Sequence, residues 1–226
     1  MTMIAQFALA AVLMAPPADD LQRHIYPMSK PIPSPEFVVD VTADPETKEW
    51  MEKGKALCES WFPTICSLLS TEDYKPPKTI TLRIAKKQDA PAYASGPMIS
   101  VSAEWIKAHP EDLGMMVHEL THVIQAYPRN KVDTGWLVEG IADYIRWIRY
   151  EPEAPRRKIN VEKASYRDAY TTTAYFLSYS SYKYNRALVP ALDRALRKGE
   201  DPMPLFKELT GKEPETLWQE YIATLK

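Results

Sequence analysis

The sequence predicts an α+β fold in which helices dominate, and three observations carry that reading. Phe37-Val38-Val39-Asp40-Val41 and Thr79 to Ala85 are short β-branched stretches, the second alternating polar and apolar residues as a half-buried strand does. From about residue 111 onward, segments of helical periodicity follow one another, with Pro and Gly as punctuation. The chain has 226 residues, 45% of them hydrophobic and 26% charged, which suits one sizeable core rather than two. The architecture expected is a small mixed sheet packed on a central helix, with a helical C-terminal half.

Taken in order, Ile4 to Ala15 is an apolar run too short to span a bilayer. It resembles the core of a signal peptide over residues 1–18, although no Lys or Arg precedes it. The expectation is a secreted or periplasmic protein, or a cytoplasmic one if the run is not a signal. Residues 19–36 are rich in Pro and polar residues and read as a tether, leaving 37–226 as the folded domain. Asp44-Pro45-Glu46 opens a helix, with Asp44 as cap and Pro45 at the first helical position. That helix is expected to end near Trp61, ahead of Pro63. Cys58 and Cys66 flank this proline; they either bridge across a turn or stay as buried thiols. Met98 to Ser102 is a further strand. A helix from about Glu111 to Tyr127 stops before Pro128, and another, capped by Asp133 or Thr134, runs to about Tyr150. Three or four helices complete the chain, with Asp201-Pro202 as a start and Gly211 and Pro214 as a stop and restart.

The chemistry concentrates in His118-Glu119-Leu120-Thr121-His122. On a helix, imidazoles at i and i+4 share one face and lie one turn apart, so both reach a single Zn²⁺. A catalytic zinc takes three protein ligands and keeps one position open. Glu139, separated from His122 by sixteen residues and on the next helix, is the candidate third ligand, giving one Zn²⁺ per chain. Glu119 is then free to act as general base toward the attacking water. Asp143 stands four residues after Glu139 on the same helix face, placed to accept the second ring N–H of a ligand histidine, His118 by choice. Its alternatives are zinc ligation or a surface ion pair. A metzincin would need a Gly and a third His where Gln125 and Pro128 stand. A Glu ligand on a later helix is instead the gluzincin arrangement, as in thermolysin.

Composition narrows the partners. A net charge of −2 gives no electrostatic case for nucleic acid, and no stretch is long and apolar enough for a stable membrane span. The expected partner is a peptide or protein substrate, met by a monomer. The leading reading is a zinc-dependent endopeptidase. A gluzincin-type aminopeptidase shares the metal chemistry, but Ala92-Tyr93-Ala94-Ser95-Gly96 offers no clear anchor for a substrate amine. A non-catalytic zinc-binding cleft protein is the third reading, and the intact Glu119 argues against it.

Several segments together resemble the basic secretory protein family, described as zinc peptidases of plants and bacteria. They are Ala92 to Gly96, Ile99 to Ser102, the His-Glu-x-Thr-His-Val-x-Gln run from His118 to Gln125, and Gly135 to Arg146, which contains Glu139-Gly140-Ile141-Ala142-Asp143-Tyr144. Tyr170 to Leu177, Phe206 to Lys212 and Leu217 to Tyr221 extend the likeness, so that it covers about residues 37–224. The resemblance implies a zincin-like metallopeptidase domain. In zincins the substrate lies antiparallel to an edge strand, which assigns substrate contacts to residues 98–102, with Ile99, Ser100 and Val101 at their centre. It also points to Tyr170, at the head of Tyr-x-x-Thr-Ala, as donor to the developing oxyanion, with Tyr166, Tyr175 and Tyr93 as competitors. This chain departs from the basic members in charge, its isoelectric point being near 6.1.

Overall fold

In one strand, Ile80, Leu82 and Ile84 are buried while Thr79, Thr81 and Arg83 are only half covered, the period-two pattern of a sheet with one face on the core. The structure is a computed structural model that describes residues 32–69, 74–129 and 132–225. The expected signal segment and residues 19–31 of the tether lie outside the described residues. Strands β1 (Glu36–Asp40), β2 (Thr79–Ala85), β3 (Ala92–Ser95) and β4 (Met98–Ser102) form one mixed sheet in the order β1-β2-β4-β3. β1 and β4 run parallel to β2, and β3 runs antiparallel to β4. The parallel β1–β2 pair requires a crossover, supplied by helix α1 (Lys48–Leu68). A tight turn at Gly96-Pro97 joins β3 to β4, and Gly96 takes the left-handed conformation there, with φ 54°.

Ser102 caps the short helix α2 (Ala103–Ala108), its hydroxyl accepting from the Trp105 N–H at 3.2 Å. Helix α3 (Gly114–Gln125) follows, and every residue in it except His122 is buried. Buried on nearly every side, α3 lies between α1, the sheet and helix α4 (Gly135–Asp143). The helices α5 (Tyr170–Lys183), α6 (Leu188–Lys198), α7 (Pro204–Thr210) and α8 (Pro214–Ala223) make up the C-terminal half. Gly199 and Gly211 end α6 and α7 with left-handed caps. The described residues thus form a mixed α+β protein with a small mixed sheet. None of its helices is long and apolar enough to cross a membrane.

The structure differs from the sequence expectations at three places. The first is α1, which does not stop before Pro63 but continues through it to Leu68. Pro63 and Glu59, whose carbonyl loses its N–H partner, are both exposed, so water can satisfy the freed oxygen. Cys58 and Cys66 therefore share one helix, about 12 Å apart along its axis at 1.5 Å per residue. A disulfide tolerates a Cα separation of only about 7 Å, and both cysteines are buried and form no disulfide. The second is the helix expected to run regularly to Tyr150. Past Asp143 it widens into a π-helical segment, Tyr144–Tyr150, closed by Glu151 N–H donating to the Arg146 carbonyl at 2.8 Å. Such segments recur at functional sites.

The third difference concerns the substrate strand. Residues 98–102 do not form an edge: β4 is paired on both sides, with β2 and with β3, and Ile99, Ser100 and Val101 are fully buried. Its backbone has no free row of donors and acceptors to offer a peptide. The edge on this side of the sheet is β3.

Candidate metal centre

Four elements meet at one cleft of about 1330 Å³: the edge strand β3, α3, α4 with its π-helical extension, and the start of α5. Helical spacing on α3 sets His118 and His122 one turn apart, with their Nε2 atoms 3.0 Å from each other. α4 packs against α3 and brings Glu139 Oε2 to 3.3 Å from both Nε2 atoms. Donor atoms bonded at 2.0–2.2 Å to one tetrahedral ion sit about 3.3–3.5 Å apart. The three side chains are positioned to bind a metal ion.

Hydrogen bonding behind the rings makes the fit chemical as well as geometric. His118 Nδ1 lies 2.7 Å from Asp143 Oδ1. The other carboxylate oxygen of Asp143 accepts from the Thr171 hydroxyl at 3.1 Å. His122 Nδ1 lies 2.7 Å from Gln125 Oε1, while Gln125 Nε2 donates to the Val138 carbonyl at 3.0 Å. With acceptors at both Nδ1 positions, the Nδ1 atoms carry ring protons, and the two Nε2 atoms converge on a carboxylate, which they can face as N–H donors or, with a metal bound, as lone pairs. Without Nε2 protons the trio repels itself unless a cation lies between the donors. The same field appears in the acid–base balance. Burial lowers the His118 imidazole, but Asp143 and Glu139 outweigh it and hold the group up to about 9. Burial raises Glu139, yet the hydrogen bonds from His118 and His122 win and bring it to about 2.

Glu119 points into the same cleft and is 7% exposed. Burial pushes its carboxyl upward, against the pull of His118 and His122, and the Ala94 backbone N–H on β3 bonds it. A carboxylate of raised basicity beside a cation site is equipped to accept a proton from water.

Tyr170 is 54% exposed, and its ring stacks over His118 with centroids 6.3 Å apart and planes 18° off parallel. Charge from Glu139, then burial, raises its phenol, which favours the proton-bearing, donating form. The backbone here is strained: Ala169 has φ 62° with ψ −172°, and Tyr170 has φ 45°. Non-glycine residues rarely adopt these angles, at a cost of about 1–3 kcal/mol each. Among the competing tyrosines, Tyr93 also lines the cleft. Tyr166 is buried and bonds Glu215, and Tyr175 is buried and accepts from the Arg157 N–H.

Sequence reasoning passed over several residues of this centre. Thr171 gave no signal beyond its place in a family-like segment, because its acceptor lies 28 positions away. Gly140 allows α4 and α5 to touch: a Cβ there would fall 2.1 Å from Thr173 Cγ2. Farther along the cleft, Arg146 bonds both Asp112 and Glu151 and lies over the Trp147 ring, and Trp105 Nε1 donates to Asp112 at 3.0 Å.

Residues 41–221, most of the chain, match the model of a family described as "Peptidase of plants and bacteria". No curated protein and no solved structure matches.

Proposed function

The chain belongs to the family of peptidases of plants and bacteria, and from that premise we propose that it is a zinc-dependent endopeptidase of the gluzincin type. The observation that carries the metal dependence is the donor triangle of His118, His122 and Glu139, with edges of 3.0, 3.3 and 3.3 Å. Two imidazoles and a carboxylate suit Zn²⁺ above harder cations, which prefer an all-oxygen set. Zinc held there would lower the pKa of a water and polarise the scissile carbonyl.

The protein's own groups supply the rest of the proposal. Glu119 takes the proton of the attacking water and delivers it to the leaving amine. Asp143, held by Thr171, keeps the His118 ring protonated on Nδ1 and its Nε2 facing the centre. Tyr170 leans over the centre and donates its hydroxyl proton toward the oxyanion. The substrate enters as an extended strand along β3, where Ala92, Tyr93 and Ala94 line the cleft.

The edge strand that lines the cleft, Ala92-Tyr93-Ala94-Ser95, carries no acidic side chain to anchor a substrate amine, which favours endopeptidase over aminopeptidase action. An N-blocked, internally quenched peptide tests this. Chelator-sensitive cleavage at an internal bond is expected; release of N-terminal residues alone, from unblocked peptides, would replace the endopeptidase reading by the aminopeptidase one.

A further inference from the structure

We propose that Gln125 is a positioning residue that ties two metal ligands on different helices into one set. The inference rests on the metal-site reading above and goes beyond it by assigning a task to a side chain outside the donor triangle. Glu139 and His122 sit on separate helices, α4 and α3, so their spacing depends on how those helices dock. Gln125 spans the joint with a single amide. Its Oε1 accepts from His122 Nδ1 at 2.7 Å, and its Nε2 donates to the carbonyl of Val138, the residue before Glu139, at 3.0 Å. One side chain therefore fixes the tautomer of the second ligand and anchors the backbone carrying the third.

The anchor is itself immobilised. Gln125 is 1% exposed, so water does not compete for its amide. Its backbone carbonyl and that of Ile124 accept from Arg197 Nη1 at 3.1 Å each. Arg197 is in turn held by the fully buried Asp193, which also accepts from the Tyr127 hydroxyl at 2.6 Å. Ala126 then ends α3 in a left-handed conformation, with φ 36°. The last turn of α3 is thus pinned from α6 on one side, while the Gln125 side chain reaches toward α4 on the other.

The chemistry is selective for an amide. An aliphatic side chain fills the space but bonds neither partner. A carboxylate still accepts from His122 but turns a second acceptor toward the Val138 carbonyl. Outer partners of metal-bound histidines typically contribute about 10–100-fold to metal affinity.

The test compares full-length wild type, Gln125→Leu and Gln125→Glu. Zinc affinity is measured by competition with a chromophoric chelator, the visible spectrum is recorded with Co²⁺ bound, and folding is followed by melting of the metal-free proteins. Wild type is expected to bind one zinc. Gln125→Leu should lose about 10–100-fold in affinity, Gln125→Glu should lose less, and both should show altered Co²⁺ bands, which a purely structural contact would leave unchanged. Wild-type affinity and spectrum in Gln125→Leu would overturn the proposal. A Gln125→Glu protein that binds as wild type does would remove the bridge to Val138, and this near-isosteric variant decides the matter if the leucine variant does not fold. Wild type without zinc would instead remove the metal reading, and this inference with it.

Discussion

Replacing Gly140 by Ala probes the contact that sets α4 against α5. The added methyl would stand 2.1 Å from Thr173 Cγ2 and 2.6 Å from Thr173 Cβ. A rotamer change moves Cγ2 but not Cβ, so the helices must part by roughly 0.8 Å to restore an ordinary contact of about 3.4 Å. Overpacking of this kind costs about 1–3 kcal/mol, and the better helix propensity of Ala returns up to about 1 kcal/mol. Because Cβ itself clashes, the cost falls in the upper half of that range, about 2–3 kcal/mol, and the net loss of about 1–2 kcal/mol in a domain of this size lowers Tm by about 2–8 °C. Parting the helices also moves α5, with Tyr170 and Thr171, away from Glu139 and Asp143, so zinc affinity should fall together with Tm. Calorimetry and chelator competition on the same samples measure both. Adding Thr173→Ser removes the nearest atom while keeping the hydroxyl that bonds the Tyr166 carbonyl, and should recover part of the loss. A Gly140→Ala protein at or above the wild-type Tm, with unchanged affinity, would refute the reasoning.

Two further outcomes are expected. Asp143→Asn keeps an acceptor for His118 and exchanges only the carboxylate charge, so zinc should weaken by about 10–100-fold, and the metal-free Tm should fall as well because the buried His118–Asp143 pair loses its charge partner; equal affinity in chelator competition would confine Asp143 to packing. Cys58 and Cys66 should be silent to a thiol reagent in the native protein and give two free thiols on unfolding without reductant; a mass two units low, the mark of a disulfide, would contradict a helix continuous through Pro63.

Much of the site was legible because its signals are local. His118, Glu119 and His122 lie within one turn and a half of helix, and Glu139 and Asp143 within one turn, so spacing alone says which side chains share a face. The family likeness was legible for the same reason, since it resides in short runs, and the strands and helical second half followed from periodicity, while the small mixed sheet was what the resemblance implied. What escaped the sequence depends on tertiary placement. Strand order is not a local property, so β4 appeared as an edge although β3 covers it. β3 itself is four residues long, with two small alanines, and too brief for a period-two signal. Pro63 looked like a stop because its cost in a helix is local, whereas its tolerance depends on which side faces water. Thr171 became visible only when α5 met α4; Gln125, one turn past His122, could be read as a partner of the ligand shell from spacing, but its bond to Val138 appeared only when α4 met α3.

The most direct test of the account is one preparation each of wild type and Glu119→Gln, assayed for zinc by elemental analysis and for hydrolysis of an internally quenched peptide. The donor triangle does not include Glu119, so both proteins should hold one zinc per chain, and only wild type should cleave, in a chelator-sensitive manner. Undiminished cleavage by Glu119→Gln would remove Glu119 as the base. No zinc in either protein would contradict the metal centre on which the mechanism rests.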